Sequence, residues 1–249
     1  IAEKLNEEPN KILKLFFRYI DNYALKTVNK VVVNSDDLKN YLINNRNITS
    51  NKINVINHFS PFMKSNYVPN FKLNNIFYAG NISRPQNLSA FLRYFQKHFP
   101  SDWKLDIYGA GQEFKNLSEF SKDNIRINNY LERKELENLT KEIPFALICL
   151  DYEITFEGFP GKTFDYLNMN KVLINFSNPN SVVSKLIDKY GLGFNIDLEN
   201  PESLRAKLKD MKNSDEISKI LENIKYFQKS VSNKQIASKS YLELISSSS

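Results

Sequence analysis

Cysteine occurs once in 249 residues, histidine twice and glycine seven times. The single cysteine, Cys149, excludes an internal disulfide, and its place in the apolar run FALICL marks it as a core residue. Two histidines, His58 and His98, cannot assemble a metal cluster with one cysteine, so neither a structural metal nor a cofactor is expected. No apolar run approaches the roughly 20 residues that span a bilayer, and no signal-peptide pattern opens the sequence. Charge of one sign does not dominate: 34 basic residues face 28 acidic ones, a net charge of +6. That excess suits phosphate or anionic-lipid ligands and falls short of a nucleic-acid footprint, so no nucleic-acid partner is expected. There is no Walker A pattern, and Gly109-x-Gly111 lacks the third glycine of the dinucleotide fingerprint. A P-loop ATPase and an NAD-binding domain are both disfavoured.

What is present is a steady alternation of short apolar runs and helical periodicity, the pattern of a parallel α/β sheet with helices on both faces. Strands are expected over 30–34, 52–57, 75–79, 104–108, 125–127, 145–150, 172–175 and 192–196. Helices are expected over 10–28, 35–44, 87–99, from about 112, and over 132–142, 162–169, 180–188, 200–211, 215–230 and 234–246. The helix at 200 is read from Asn200 as N-cap and Pro201 as first residue. The 10–28 helix pairs a wide apolar face with Lys11, Lys14, Arg18 and Lys26. A basic amphipathic helix of this kind packs on its own domain or lies on a membrane surface, and packing is the commoner outcome. His98, late in a helix, suits the dipole there; a ligand role for His58 is the less favoured reading.

The scarce glycines are informatively placed. Gly80, Gly109, Gly111, Gly158 and Gly161 all fall where a strand hands over to a helix, the edge of a doubly wound sheet that forms its ligand crevice. The densest signal is EGFPGKTFDY, from Glu157 to Tyr166. It puts an acid in a tight loop, Lys162 at a helix start and Asp165 one turn in. Free amides, the positive end of the helix dipole and a lysine together favour an anion. A carboxylate one turn away can accept hydrogen bonds from sugar hydroxyls. Phosphate plus sugar points to a nucleotide-sugar, whereas the plain alternative is an ordinary surface helix.

The spacing of Glu157 and Asp165 resembles the Glu-x7-Glu signature of retaining GT-B glycosyltransferases, family-4-like, in a bacterial branch that builds surface polysaccharides or glycosylates adhesins. Asp165 stands where the family has a second Glu, and Asn170-Lys171-Val172 where it often has Gly-Lys-Pro. The resemblance covers about residues 28–200 and divides the chain into a tail of the N-terminal acceptor domain (1–58), a linker (59–74), a nucleotide-sugar-binding domain (75–230) and a C-terminal helix with a frayed end (231–249). It implies that most of the acceptor domain is absent and that this fragment alone turns over poorly. It further implies a metal-free hexosyl transfer from a nucleotide-diphosphate donor, a UDP-sugar first, to a surface-glycan, lipid-linked or adhesin acceptor. By the same resemblance Lys162 holds the diphosphate, Glu157 a sugar hydroxyl and Asp165 the ribose, while Gly158, Phe159 and Pro160 shape the sugar pocket. Gly80, Asn81 and Arg84 would lie near the diphosphate, with Gly109, Gly111 and the turn containing Asn128 around the nucleoside. The expected location is cytoplasmic, at the inner face of the membrane where peripheral contact occurs, and self-association is compatible with it. The alternatives are a non-catalytic nucleotide-sugar-binding or partner-stabilising module, a related sugar epimerase, and a structural domain that binds no nucleotide.

Overall fold

The computed structural model describes residues 11–60, 64–155 and 158–246. A basic amphipathic helix α1 (Lys11–Thr27) leads into β1 (Val31–Val33), α2 (Asp36–Arg46) and β2 (Ile53–Val55), and β1 and β2 pair in parallel. Ser35 caps α2 by accepting from the Leu38 amide, and Asp36 and Asp37 occupy its first turn, where the dipole favours acids. The small core beneath this pair holds Val33, Leu42, Ile48 and Ile53. Helix α1 does not pack as its apolar face would suggest. Leu25 reaches the small core and Arg46 grips Asp21 and Asn22, while Ile12, Leu15, Phe17 and Tyr19 stay exposed.

The second sheet follows an extended connection: β3 (Asn75–Asn81), α3 (Leu88–His98), β4 (Lys104–Ala110), β5 (Ile125–Asn128), α4 (Arg133–Leu139), β6 (Phe145–Cys149), α5 (Gly161–Asn168), β7 (Val172–Phe176), α6 (Val182–Tyr190) and β8 (Gly193–Ile196). Helices α7 (Ser203–Asp210), α8 (Ser214–Ser230) and α9 (Lys234–Ser246) complete it. All six strands are parallel, in the order β5-β4-β3-β6-β7-β8. Strands β6 and β7 are buried at every position, as expected of a sheet covered on both faces. Aromatic rings fill the space beneath the helices, with Phe77, Tyr78, Phe91, Phe95 and Trp103 fully enclosed. Cys149 is buried there too, and burial pushes its thiol pKa up.

Three helices differ from the sequence expectation. The helix from 112 is a 3-10 run, Phe114–Phe120, because Asn116 bonds Glu113 and Ser118 bonds the Lys115 carbonyl, local contacts that compete with α geometry. Helix α4 stops at Leu139 instead of 142. Thr140 folds its hydroxyl onto the Leu136 carbonyl, and the buried Lys171 ammonium donates to the carbonyls of Thr140, Lys141 and Ile143 at 2.7–2.9 Å. Helix α7 begins at Ser203, since Asp197 already holds the Glu199 and Asn200 amides and leaves residues 200–202 as a turn. Among the described residues no helix is long and apolar enough to cross a membrane, and no group of side chains could hold a metal ion.

Candidate functional site

Counted along this sheet alone, the strand order is 3-2-1-4-5-6, so the winding direction reverses between β3 and β6. Ligands of doubly wound sheets sit outside the carboxyl ends of the strands at such a reversal. Here β3 and β6 pair over only Ile76–Phe145 and Phe77–Ala146 and then separate. The backbone groups that β3 loses are taken by a side chain of α5: the buried Tyr166 hydroxyl accepts from the Ala79 amide (2.8 Å) and donates to the Ala79 carbonyl (3.0 Å). A phenol thus stands in for a strand and fixes α5 against the crevice.

One turn before Tyr166 on that helix comes Lys162. Its ammonium donates to the Tyr78 hydroxyl at 2.6 Å and lies 3.8 Å from the centre of that ring. The Tyr78 hydroxyl in turn donates a hydrogen bond to the Asn81 carbonyl (2.5 Å), so the lysine is tied through one phenol to the end of β3. Gly80 sits at the same place with φ of +136°, and a Cβ there would lie 3.0 Å from Lys162 Nζ. Burial beside a neutral partner pushes the lysine pKa down to about 7. Among the described residues no side chain caps the start of α5, which opens from Pro160, and the positive end of its dipole lies at the same crevice.

Lys162, Asp165, Tyr166 and Met169 form a stripe along one face of α5 and line a cavity of about 160 Å³ with Gly80, Tyr108, Tyr130, Leu131 and Arg133. Asp165 accepts from the Ser60 hydroxyl at 2.6 Å. Burial raises its carboxyl pKa, while the Ser60 bond and the charges of Arg133 and His58 draw it down. His58 stacks edge-on against Phe164 at 5.2 Å and reaches the helix start, its Nε2 3.6 Å from where a Gly161 Cβ would be.

The other sequence candidates are spread around this centre. Asn81 bonds Ser83, and Arg84 is exposed in the short 3-10 turn after β3, outside the cavity wall. Gly109 and Gly111 are required by the neighbouring backbone: a Cβ would fall 2.1 Å from the Gly80 or the Ile82 carbonyl oxygen respectively. Asn128 donates to the Ile107 carbonyl (3.2 Å) and holds the end of β5. Gly158 lies against Asn34, just after β1, whose buried Oδ1 has no hydrogen-bond partner among the described residues. Phe159 faces a second cavity, of about 180 Å³, shared with Asn57, Phe164 and Val182 between the two sheets. Glu157 lies outside the described residues. Sequence reasoning marked Tyr78 only as the first residue of the stretch Tyr78–Asn81, which resembles the family's loop near the diphosphate, and gave no role to Tyr78, Ser60 or Arg133. Arg133 did leave a signal, as a cation at a helix start where the dipole disfavours one.

No protein-family model and no curated protein sequence matches the chain. Solved structures do. Anabaena HepE in complex with UDP and glucose superposes with a TM-score of 0.72 at 12% identity, over 92% of this chain and 66% of that one. The lipopolysaccharide outer core galactosyltransferase WaaB, in its apo form, gives 0.65 at 16%, over 89% and 63%. A mutant of S. aureus TarM in complex with UDP, fondaparinux and alpha-GlcNAc-glycerol gives 0.67 at 16%, over 90% and 46%. The chain therefore spans less than two thirds of the length of WaaB and under half that of TarM. These neighbours are GT-B glycosyltransferases, and the chain shares their fold.

Proposed function

We propose that this chain carries the donor-binding half of a glycosyltransferase and holds a nucleoside diphosphate sugar, a UDP-hexose first, at the start of α5. The observation that carries the reading is Lys162, a largely buried ammonium whose partner among the described residues is a neutral phenol, beside an uncapped helix start at the reversal point of the sheet. The neighbours solved with UDP or UDP-glucose support the choice of ligand class. In this reading Lys162 and the α5 amides take the diphosphate, Asp165 the ribose, and Tyr108 and Tyr130 flank the base. Loop 158–160 meets the sugar, and Glu157 is the expected contact to a sugar hydroxyl.

The chemistry follows from charge. As the bond from the anomeric carbon to the departing phosphate breaks, negative charge grows on the diphosphate, and fixed positive groups aimed there lower the barrier without reorganising. The acceptor hydroxyl bonds to the same face of the sugar, giving retention, and its proton passes to the leaving phosphate. The acceptor is a surface glycan, lipid-linked or carried on an adhesin. The exposed apolar residues of α1, with Arg18 and Lys26 among them, would meet the membrane that holds a lipid-linked one.

A thermal-shift panel of UDP, GDP, ADP and dTDP on wild type and Lys162→Ala tests the binding step. A ligand at about 100 times its Kd adds roughly 2.7 kcal/mol, or about 5–10 °C for a chain of this size. UDP is expected to raise the midpoint in wild type and to lose that effect in the variant; no shift with any diphosphate overturns the reading. The alternative is a module that binds nucleotide-sugar without transfer. That module would bind UDP-glucose yet release no UDP from it, with or without acceptor.

A further inference from the structure

We propose that Ser60 is a positioning residue for the donor ribose, acting through Asp165. This rests on the donor-site reading above. The Ser60 hydroxyl donates to Asp165 Oδ1 at 2.6 Å, within the short range of a charge-assisted O–H···O⁻ bond. Both partners are sheltered from bulk water: Ser60 is 8% exposed, and Asp165 is only partly accessible where it lines the cavity. An ionised carboxylate is an acceptor only, with two oxygens. One is engaged by Ser60, which leaves the other to accept from a vicinal diol and removes the side-chain rotation that would let it miss.

Ser60 can do this because its own place is set by other contacts. It belongs to the connection between the two sheets, and that connection is strapped to α5 and α8 on both sides of it. The His58 carbonyl accepts from the Ser232 hydroxyl (3.1 Å), and the His58 ring rests on Phe164. Further on, Lys64 donates to the Gln228 carbonyl (2.8 Å) and the Ser65 amide to the Asn168 carbonyl (2.8 Å). Asn170 holds the carbonyls of Ser65 and Tyr67. A serine anchored in this way fixes a carboxylate; a serine on a loose loop would merely follow it. Burial is the largest influence on the Asp165 carboxyl and raises its pKa; the Ser60 bond, followed by Arg133 of α4 and His58 of the connection, opposes that rise and favours the ionised acceptor that a ribose requires.

The test is isothermal titration calorimetry of wild type, Ser60→Ala, Asp165→Ala and the double variant with UDP and with 2′,3′-dideoxy-UDP. Wild type is expected to prefer UDP by about tenfold or more, the range of a hydrogen bond to a charged group. Ser60→Ala should lower that preference several-fold while affinity for the dideoxy nucleotide stays within about twofold. In the Asp165→Ala background, adding Ser60→Ala should change the preference no further. Equal weakening of both nucleotides, or no change in either, overturns the positioning role while leaving the donor site standing. Wild type binding both nucleotides equally removes the ribose contact and this proposal with it. Absence of UDP binding by wild type overturns the donor-site reading itself. Because Ser60→Ala deletes one oxygen from a site strapped elsewhere, the variant is expected to fold, and the calorimetric stoichiometry verifies the folded fraction.

Discussion

Lys162 shows how one residue can be primed by the company it keeps. Its ammonium is buried against the phenol of Tyr78 and the backbone of Gly80, with no anion in the described structure, and its pKa falls to about 7. Only the protonated form attracts a diphosphate, so protonation and binding are linked. As pH rises from 7 to 9 the free protein increasingly carries a neutral amine, and binding must also supply a proton. The UDP phosphates are largely ionised already at pH 7, since the second phosphate pKa is about 6. UDP affinity is therefore expected to fall across pH 7–9, by at most about tenfold per unit. Lys162→Arg, whose guanidinium keeps its charge, should flatten the profile even if its affinity at pH 7 is lower. Calorimetry at pH 7, 8 and 9 checks this, and a flat wild-type profile would show that Lys162 does not contact the phosphates. Lys162 and Asp165 were legible in the sequence because both belong to a short motif with fixed spacing. Ser60 and Tyr78 were not. They reach the site only through the fold, from 105 and 84 positions away, and neither a serine after a strand nor a tyrosine inside one announces a partner.

At the scale of the element, α5 is placed by a side chain substituting for a strand. The sequence showed that a helix begins near Lys162, and the apolar runs at 145–150 and 172–175 gave its flanking strands. What the sequence could not show is that β3 and β6 part after two paired residues, leaving the Ala79 amide and carbonyl for the Tyr166 hydroxyl. That contact depends on sheet geometry, where alternation patterns carry no information. It also predicts a defined cost. Tyr166→Phe keeps the ring that packs edge-on against Phe77 at 5.0 Å and removes only the hydroxyl, taking the partner from the part-buried Ala79 amide and carbonyl, whose loss falls toward the low end of the cost of an unsatisfied buried group. An unsatisfied buried polar group costs about 1–3 kcal/mol. The urea midpoint should drop accordingly with the m-value unchanged, since no surface is newly exposed in the folded protein. UDP affinity should fall as well, because α5 carries Lys162 and Asp165 one turn and one residue from the lost anchor. A stable Tyr166→Phe protein with full affinity would mean that helix packing alone sets the site.

At the scale of the whole molecule, the two sheets are unequal partners. The six-stranded sheet buries aromatic and branched residues on both faces, whereas the N-terminal pair of three-residue strands covers a core of Val33, Leu42, Ile48 and Ile53. Two strands with so small a core do not stabilise themselves. The contacts that dock them on the larger body include the Lys185–Asp37 ion pair (2.7 Å), whose lysine is half exposed, and surface pairs of that kind contribute about 0–1 kcal/mol. Local opening should therefore be graded along the chain. In native-state hydrogen exchange, the amides of Val31–Val33 and Ile53–Val55 are expected to open by a sub-global route, exchanging much faster than those of β3, β4, β6 and β7, which should report the global stability. Ligand sharpens the expectation. The donor site as proposed meets the N-terminal region through Ser60, His58, Asn57 and Asn34, at its border, so saturating UDP should protect the β3 and α5 amides most. Protection that spread to Ile53–Val55 as strongly as to α5 would show that the connection through Ser60 transmits donor binding to the first sheet, and that the two sheets open as one unit. Uniform exchange across both sheets without ligand would show the same of the free protein, despite the small core between β1 and β2.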